Sequence, residues 1–166
     1  LPGQAYASMV RSPHAHARIV RIETAPALVS PSVIAVLTGA DLVAHGLKAM
    51  SHRPVPTNPH EVPLKGPGGS PFFVSEPLPL PVDRARFVGE PVAMVVAETA
   101  HAARDGAERV IVEWEPLPAV VTSTDATAAG AAAVWDACAS NVAVETQAGD
   151  AAATDAAFAR AAHVVT

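Results

Sequence analysis

The sequence predicts an α/β (α+β) domain built from a mixed sheet, short helices and a long proline-rich loop. Apolar, β-branched segments of strand length, such as 33–39, alternate with short segments of helical spacing. Nine of the 16 prolines lie within residues 53–81, which predicts a long irregular excursion there. Half of the residues are hydrophobic but only 4% are aromatic, so we expect a core of Val, Leu and Ala.

The chain begins with two short strand candidates. Residues 5–11 and 16–23 have the length and composition of strands, and Ser12-Pro13 between them favours a tight connection. Polar and apolar residues alternate only partly along the second segment. This partial alternation is typical of a strand at the edge of a sheet.

Two short helices are predicted next, on either side of a third strand. Thr24 is a residue type that caps helices and Pro26 suits a first helical turn, so one or two turns are expected before Pro31 ends them. The strand 33–39 leads into a second short helix, which Gly46 ends.

Regular structure returns after the proline-rich loop. Residues 82–97 predict a strand or a pair of strands, with a break at Gly89-Glu90-Pro91. Residues 99–109 predict a helix, because Thr99 can cap it and small apolar residues recur at helical spacing. A strand over 110–121 then completes a βαβ-like unit.

The remaining residues differ in composition from those before them. They are rich in alanine and predict a short helix with a loop, a possible strand within 141–150, and a helix that Asp150 caps. We therefore divide the chain into a first domain, residues 1–122, which includes the irregular loop 53–81, and an alanine-rich connecting segment, residues 123–166.

Charge and composition exclude several classes of partner. The formal net charge is −5 and the 11 basic residues are scattered, so the sequence predicts no basic surface that would bind nucleic acid. No apolar run approaches the roughly 18 residues that span a bilayer, so no membrane insertion is expected. The single cysteine, Cys138, has no basic neighbour and fits a reducing compartment, so we expect an inert thiol in a cytoplasmic protein.

Two histidines, His14 and His16, stand two positions apart within RSPHAHAR. In an extended backbone they would share a face and could offer two imidazoles to a metal ion. A metal site needs a third ligand, however, and the neighbouring sequence supplies none. We therefore favour residues that fix a turn or face an interface over metal ligands.

A glycine-rich segment, KGPGGS at residues 65–70, has the composition of a phosphate-binding loop. A Walker loop needs a preceding strand, a lysine after the glycines and a following helix. Here the lysine comes before the glycines and a proline follows them. We predict a loop without a phosphate.

A carboxylate, Glu90, stands between a glycine and a proline at the end of a strand. Gly89 suggests a positive φ or a close approach of backbone, and Pro91 withholds a donor from the sheet. Glu90 could grip a partner or an arginine such as Arg86, or it could be a satisfied turn residue, and the sequence leaves both open. No pair of residues can be named as nucleophile and base, so we predict no catalytic residue.

Three stretches, 10–42, 86–121 and 149–165, resemble the N-terminal part of the molybdopterin-binding large subunit of the xanthine oxidase family of molybdenum hydroxylases. The nearest likeness is to aerobic-type carbon monoxide dehydrogenases. The motifs RSPHAHAR and FVGEPVA occur in the family's order and spacing. The resemblance covers nearly the whole chain, and the loop 53–81 is its most variable part.

The resemblance implies an α/β-hammerhead domain that is the first module of such a subunit. It implies that molybdopterin and the catalytic residues belong to later domains, and that [2Fe-2S] clusters and FAD belong to other domains or subunits, which would be this chain's partners. Accordingly, we expect no catalytic, cofactor-binding or metal residue in residues 1–166. Six residues in or directly before the two motifs are expected to be structural or to face an interface: Arg11, His14, His16, Arg86, Gly89 and Glu90.

Two functions from different classes follow. The first is a non-catalytic structural domain of a molybdenum-dependent oxidoreductase, with residues 123–166 starting its molybdopterin-binding domain. The second is a free-standing adaptor with the same fold and no redox role. Independent binding of a small ligand is disfavoured, because the sequence shows no convergent set of polar groups.

Overall fold

The structure, a computed structural model, describes residues 2–50 and 62–165 and contains both strands and short helices. The expected α/β class is confirmed. The elements in chain order are β1 (Tyr6–Arg11), β2 (Ala17–Glu23), α1 (Ala25–Leu28), β3 (Val33–Thr38), α2 (Gly39–Ala44), β4 (Arg84–Ala85), β5 (Pro91–Ala97), α3 (Ala100–Arg109), β6 (Ile111–Pro116), α4 (Ser123–Ala126) and α5 (Ala151–Arg160).

The strands form two antiparallel sheets and not the single mixed sheet that we expected. The first sheet has the order β1-β5-β3 and the second has the order β4-β2-β6. Every pairing between strands is antiparallel. β5 and β6 therefore do not form a βαβ unit. The physical reason is that β1 and β3 occupy both hydrogen-bonding edges of β5, which leaves no edge of that strand for β6.

Each sheet joins strands from before the proline-rich loop to strands from after it. In the first sheet the pairing runs from Tyr6 opposite Ala97 to Arg11 opposite Pro91. In the second, β2 lies between β6 and β4, and β4 pairs with the first two residues of β2. The expected edge position of this strand is therefore wrong. The loop 53–81 therefore separates the two halves of both sheets; its residues 53–61 lie outside the described part of the chain.

The core is built from small aliphatic residues, as the composition predicts. β5 is the most buried strand, and its Val92, Ala93, Val95 and Ala97 are completely inaccessible to solvent. α3 packs on this sheet through Gly106, where a Cβ atom would lie only 2.9 Å from Val95 Cγ1. The absence of a side chain at Gly106 thus allows the helix to approach the sheet closely.

Side-chain caps begin most of the helices where the sequence predicts them. Thr99 accepts a hydrogen bond from the backbone N–H of Ala102 at 3.1 Å, and Asp150 accepts one from Ala153 at 2.9 Å. Thr24 precedes α1 as predicted, but its side chain makes no capping bond. α2 is capped by Thr38 and Asp41 together, and these hydrogen bonds lower the pKa of Asp41.

The chain divides into two compact units. The described residues of the first unit are 2–50 and 74–141, and it contains both sheets. Those of the second unit are 62–73 and 142–165, and it contains α5. Division of the chain at residue 122 stays a prediction.

The strand expected within 141–150 is wrong. This segment makes separate hydrogen bonds with the loop, from the N–H of Phe73 to the carbonyl of Ala143 and from the N–H of Glu145 to the carbonyl of Lys65. No ladder of pairs develops along it in the described part of the chain. Within residues 2–50 and 62–165, no helix has both the length and the apolar character needed to cross a membrane.

Candidate functional site

Two turns from distant parts of the sequence lie against each other. We call residues 11–16 the first turn and residues 86–90 the second turn. The backbone N–H of Ser12 donates to the Glu90 carbonyl at 2.9 Å, and the N–H of Gly89 donates to the Ser12 carbonyl at 2.8 Å. Arg11 adds a bond from Nη1 to the Gly89 carbonyl at 2.8 Å. The two sequence motifs therefore form a single structural cluster.

The first turn is fixed by its serine. Ser12 is almost fully buried. Its Oγ accepts from the backbone N–H of His14 at 3.1 Å and donates to the carbonyl of the same residue at 2.9 Å. Both backbone groups of the following loop are satisfied in this way, as in other serine-stabilised turns.

The two histidines contact different neighbours. The ring of His14 lies edge-on to Trp114, with centroids 5.6 Å apart. Nδ1 of His16 lies 2.8 Å from the carbonyl of Pro118, which can only accept, so Nδ1 carries the proton. His16 is buried, and its Nε2 has no hydrogen-bond partner among the described residues. Across residues 2–50 and 62–165, no group of three or more His, Cys, Asp or Glu side chains could hold a metal ion.

Replacing His16 with alanine should lower the free energy of unfolding by about 1 kcal/mol, because it removes the hydrogen bond that the buried imidazole donates to the Pro118 carbonyl. His16→Asn should cost less, since its amide can donate from nearly the position of Nδ1 and removes the unpartnered Nε2. Urea unfolding of both variants measures the difference. If the asparagine variant were the less stable of the two, the hydrogen bond to Pro118 would not be what His16 contributes.

The second turn contains a buried carboxylate. The N–H of Glu90 donates to the Phe87 carbonyl at 3.2 Å, and Gly89 has a φ of 86°, as the third position of a type II turn requires. The carboxylate of Glu90 accepts from the backbone N–H of Arg86. Only 7% of Glu90 is exposed, and this burial raises its pKa, although the hydrogen bond from Arg86 opposes the shift.

The side chain of Arg86 contacts groups other than the Glu90 carboxylate, which accepts from the backbone N–H of Arg86. Its guanidinium carbon lies 4.0 Å from the centre of the Trp135 ring, in the geometry of a cation–π contact. Its Nη1 donates to the carbonyl of Arg84 at 3.2 Å. Glu90 thus contacts Arg86 mainly through the main chain, in the manner of a turn residue.

The glycine-rich segment 65–70 forms a single tight turn in the second unit. The N–H of Gly66 donates to the Ser70 carbonyl at 2.7 Å, and the N–H of Gly68 donates to the carboxylate of Glu145 at 3.3 Å. The carboxylate of Glu145 thus accepts from a backbone N–H that a bound phosphate would need as a donor. This geometry agrees with a loop that binds no phosphate.

The cluster of the two turns is suited to holding strands in place. Its contacts run to main-chain groups and aromatic rings, and it presents no nucleophile beside a base among the described residues. The sequence singled out six residues: Arg11, His14, His16, Arg86, Gly89 and Glu90. In the structure, Arg11 of the first turn contacts the second turn, which contains Arg86, Gly89 and Glu90. Sequence reasoning missed Pro118, because a residue that acts through its backbone carbonyl leaves little trace in a sequence.

Two small antiparallel sheets with short helices, joined through paired turns, define the class of this domain: it is an α/β hammerhead. The family model described as "Aldehyde oxidase and xanthine dehydrogenase, a/b hammerhead domain" matches residues 1–118. The chain belongs to this family, and the expectation from the sequence motifs is confirmed.

Curated relatives are oxidoreductases much longer than this chain. The carbon monoxide dehydrogenase large chain of Afipia carboxidovorans is 37% identical over 121 residues, which are 73% of this chain and 13% of that one. Subunit gamma of the 6-hydroxypseudooxynicotine dehydrogenase complex of Paenarthrobacter nicotinovorans is 33% identical, over 76% of this chain and 15% of its own. The chain thus spans about a seventh of these relatives.

Solved structures show the same fold. A Cu,Mo-CO dehydrogenase has a TM-score of 0.72 and 32% identity over 98% of this chain and 20% of that chain. Quinoline 2-oxidoreductase from Pseudomonas putida 86 has a TM-score of 0.62 and 36% identity over 76% of this chain and 14% of that chain.

Proposed function

We propose that this chain is the structural N-terminal domain of the large subunit of a molybdenum-dependent oxidoreductase of the carbon monoxide dehydrogenase, xanthine dehydrogenase and aldehyde oxidase type. The observation that carries the proposal is the similarity to a Cu,Mo-CO dehydrogenase over 98% of this chain. In such an enzyme, molybdenum bound to molybdopterin supplies the redox chemistry that inserts a water-derived hydroxyl at a carbon centre.

The residues described here do not fit a molybdenum site. The two histidines of the first turn contact Trp114 and Pro118, and in the described part of the chain His16 belongs to no group of three or more side chains that could hold a metal ion. We therefore derive no catalytic step for this chain and assign it no catalytic or cofactor-binding residue. The cofactor belongs, in this proposal, to domains encoded further along the same subunit.

The domain's role is to support those domains. The paired turns connect both sheets, and Ser12 and Glu90, whose main chains join them, are buried, which suits a rigid support. Residues 123–166 begin the molybdopterin-binding domain, and the exposure of every residue of α5, including Phe158, supports a helix that packs against further structure. Iron–sulfur and FAD domains or subunits are the further partners. The enzyme is cytoplasmic, without nucleic acid or membrane insertion.

The proposal is tested by the metal content of the native complex. The complex is isolated from its source with an antibody against this chain, and its metals are quantified by mass spectrometry. Near-stoichiometric molybdenum together with iron is the expected result. An intact and abundant complex without molybdenum would contradict the proposal and favour the adaptor.

The double replacement His14→Ala, His16→Ala should leave the molybdenum content of the full enzyme unchanged, because both rings are engaged within the domain. Circular dichroism checks that the fold is retained, and His101→Ala on the surface of α3 is the matched control. Loss of molybdenum from a folded double variant, with the control unaffected, would show that these histidines reach the cofactor.

A further inference from the structure

The second turn exposes two large apolar side chains next to the most buried strand of the domain. Phe87 is 55% exposed and Val88 is 64% exposed, whereas Val92, four residues further along, is completely buried. Turns of this kind need a glycine at the third position but place no demand for an aromatic or a β-branched residue at the first two. The turn itself therefore does not explain Phe87 and Val88.

The turn that carries these side chains is held rigidly. Its backbone is bonded to Ser12 by two hydrogen bonds, to Arg11 by a third, and to its own buried carboxylate through the N–H of Arg86. A surface feature that is fixed before binding loses little conformational entropy when it binds. The backbone that carries Phe87 and Val88 is thus fixed before binding, which favours their association with a preformed pocket.

The chemistry of the partner follows from the residues around the turn. An aromatic and an aliphatic side chain together require an apolar pocket. Arg11 contacts the same turn, is exposed, and uses one N–H for the Gly89 carbonyl. No carboxylate among the described residues forms an ion pair with Arg11. Its remaining donors match a carboxylate at the rim of that pocket.

We propose that Phe87 and Val88 insert into an apolar pocket with an acidic rim on the remaining part of the same large-subunit polypeptide. This inference rests on the proposed function, which makes the chain one module of a longer subunit. Nearly all of this chain matches 20% of the Cu,Mo-CO dehydrogenase chain, so four-fifths of such a chain lies outside the match. A module within so long a chain has most of its neighbours on that chain.

Photo-crosslinking in the full-length protein tests the proposal. A benzophenone amino acid is incorporated in place of Phe87, and the irradiated protein is analysed by gel electrophoresis and peptide mass spectrometry. The expected product is a crosslink within one chain, to a peptide beyond residue 166 that contains apolar residues and Asp or Glu. A product of larger mass, from a second copy or another subunit, overturns the proposal. So does the absence of any crosslink beyond that seen in the unfolded protein.

The acidic rim has its own test. Arg11→Glu should reduce the yield of the crosslink at least threefold, while Arg11→Lys retains most of it. Arg109→Glu, which reverses an exposed charge at the end of α3, is the matched control and should leave the yield unchanged. Equal yields for Arg11→Glu and Arg109→Glu would contradict the acidic rim.

Molybdenum content, measured on the same preparation, separates this proposal from the proposed function. If the crosslink forms within one chain but the preparation lacks molybdenum, the docking surface is upheld and the proposed function as part of a molybdenum hydroxylase is contradicted. Molybdenum without a crosslink contradicts the docking surface alone.

Discussion

Replacing Gly39 with alanine is expected to lower the free energy of unfolding by about 2–3 kcal/mol, at the upper end of the cost of overpacking. Gly39 is the first residue of α2 and is buried. A Cβ atom there would lie 2.5 Å from the carbonyl oxygen of Leu80 and 2.6 Å from that of Pro81. Because both obstacles are main-chain atoms, the end of the proline-rich loop would have to move away from the helix. Urea unfolding monitored by circular dichroism measures the loss.

Gly106→Ala is the matched control for this prediction. Its Cβ would meet side-chain methyl groups of Val95 and Val33 at 2.9 and 3.0 Å, and methyl groups can shift where a main chain cannot. Alanine also favours the interior of a helix over glycine by about 1 kcal/mol. We expect a net change below about 1 kcal/mol. Equal losses for the two variants would show that contact distance alone, and not the kind of atom met, decides the cost.

Replacing Glu90 with alanine is expected to cost about 2 kcal/mol, because the buried carboxylate is the acceptor for the backbone N–H of Arg86 and an unpaired buried donor is expensive. Glu90→Gln keeps an oxygen in place and should cost less than half as much. The test compares the unfolding midpoints of the two variants at pH 7. A glutamine variant as unstable as the alanine variant would mean that the negative charge, and not the acceptor, holds the turn.

The same carboxylate predicts a particular dependence on pH. Burial raises the pKa of Glu90 in the folded state above its ordinary value of 4.5. At a pH between the ordinary pKa and that of the folded state, the folded state therefore binds more protons than the unfolded state. The stabilisation that follows from this raised pKa is therefore fully present below pH 4.5 and is lost as the pH rises through the pKa of Glu90 in the folded state. The stability of the unmodified protein relative to Glu90→Gln should fall between pH 4 and pH 8. A difference that grows with pH would contradict the raised pKa.

Local signals in the sequence predict local structure well. The strand 33–39, the helix capped by Thr99 and the helix capped by Asp150 all appear within one residue of their expected starts. In each case the determinant is the residue type at a few adjacent positions, such as a hydroxyl or carboxylate three residues before an N–H that needs an acceptor. Segment 141–150 shows the limit, because its apolar residues allow a strand but no strand pairs with it within residues 2–50 and 62–165.

Pairing between distant segments could not be predicted in the same way. The partition of β5 and β6 into different sheets depends on which strands occupy the edges of β5, and no residue of β5 encodes that choice. Likewise, Ser12 and Glu90 meet through main-chain groups, which are the same for every residue type. Glu90 could be recognised as unusual from its position between Gly89 and Pro91. Its hydrogen bond to Arg86 could not.

The long separation between paired segments has a consequence during synthesis. Arg11 and Gly89 are 78 residues apart, and His16 and Pro118 are 102 apart. At a translation rate of about 5–20 residues per second, the strands made first wait roughly 4–20 s before their partners leave the ribosome. During that time the backbone N–H and C=O groups of β1, β2 and β3 lack the strands with which they pair in the folded domain. A ribosome-bound nascent chain therefore passes through an interval in which chaperones have a ready target.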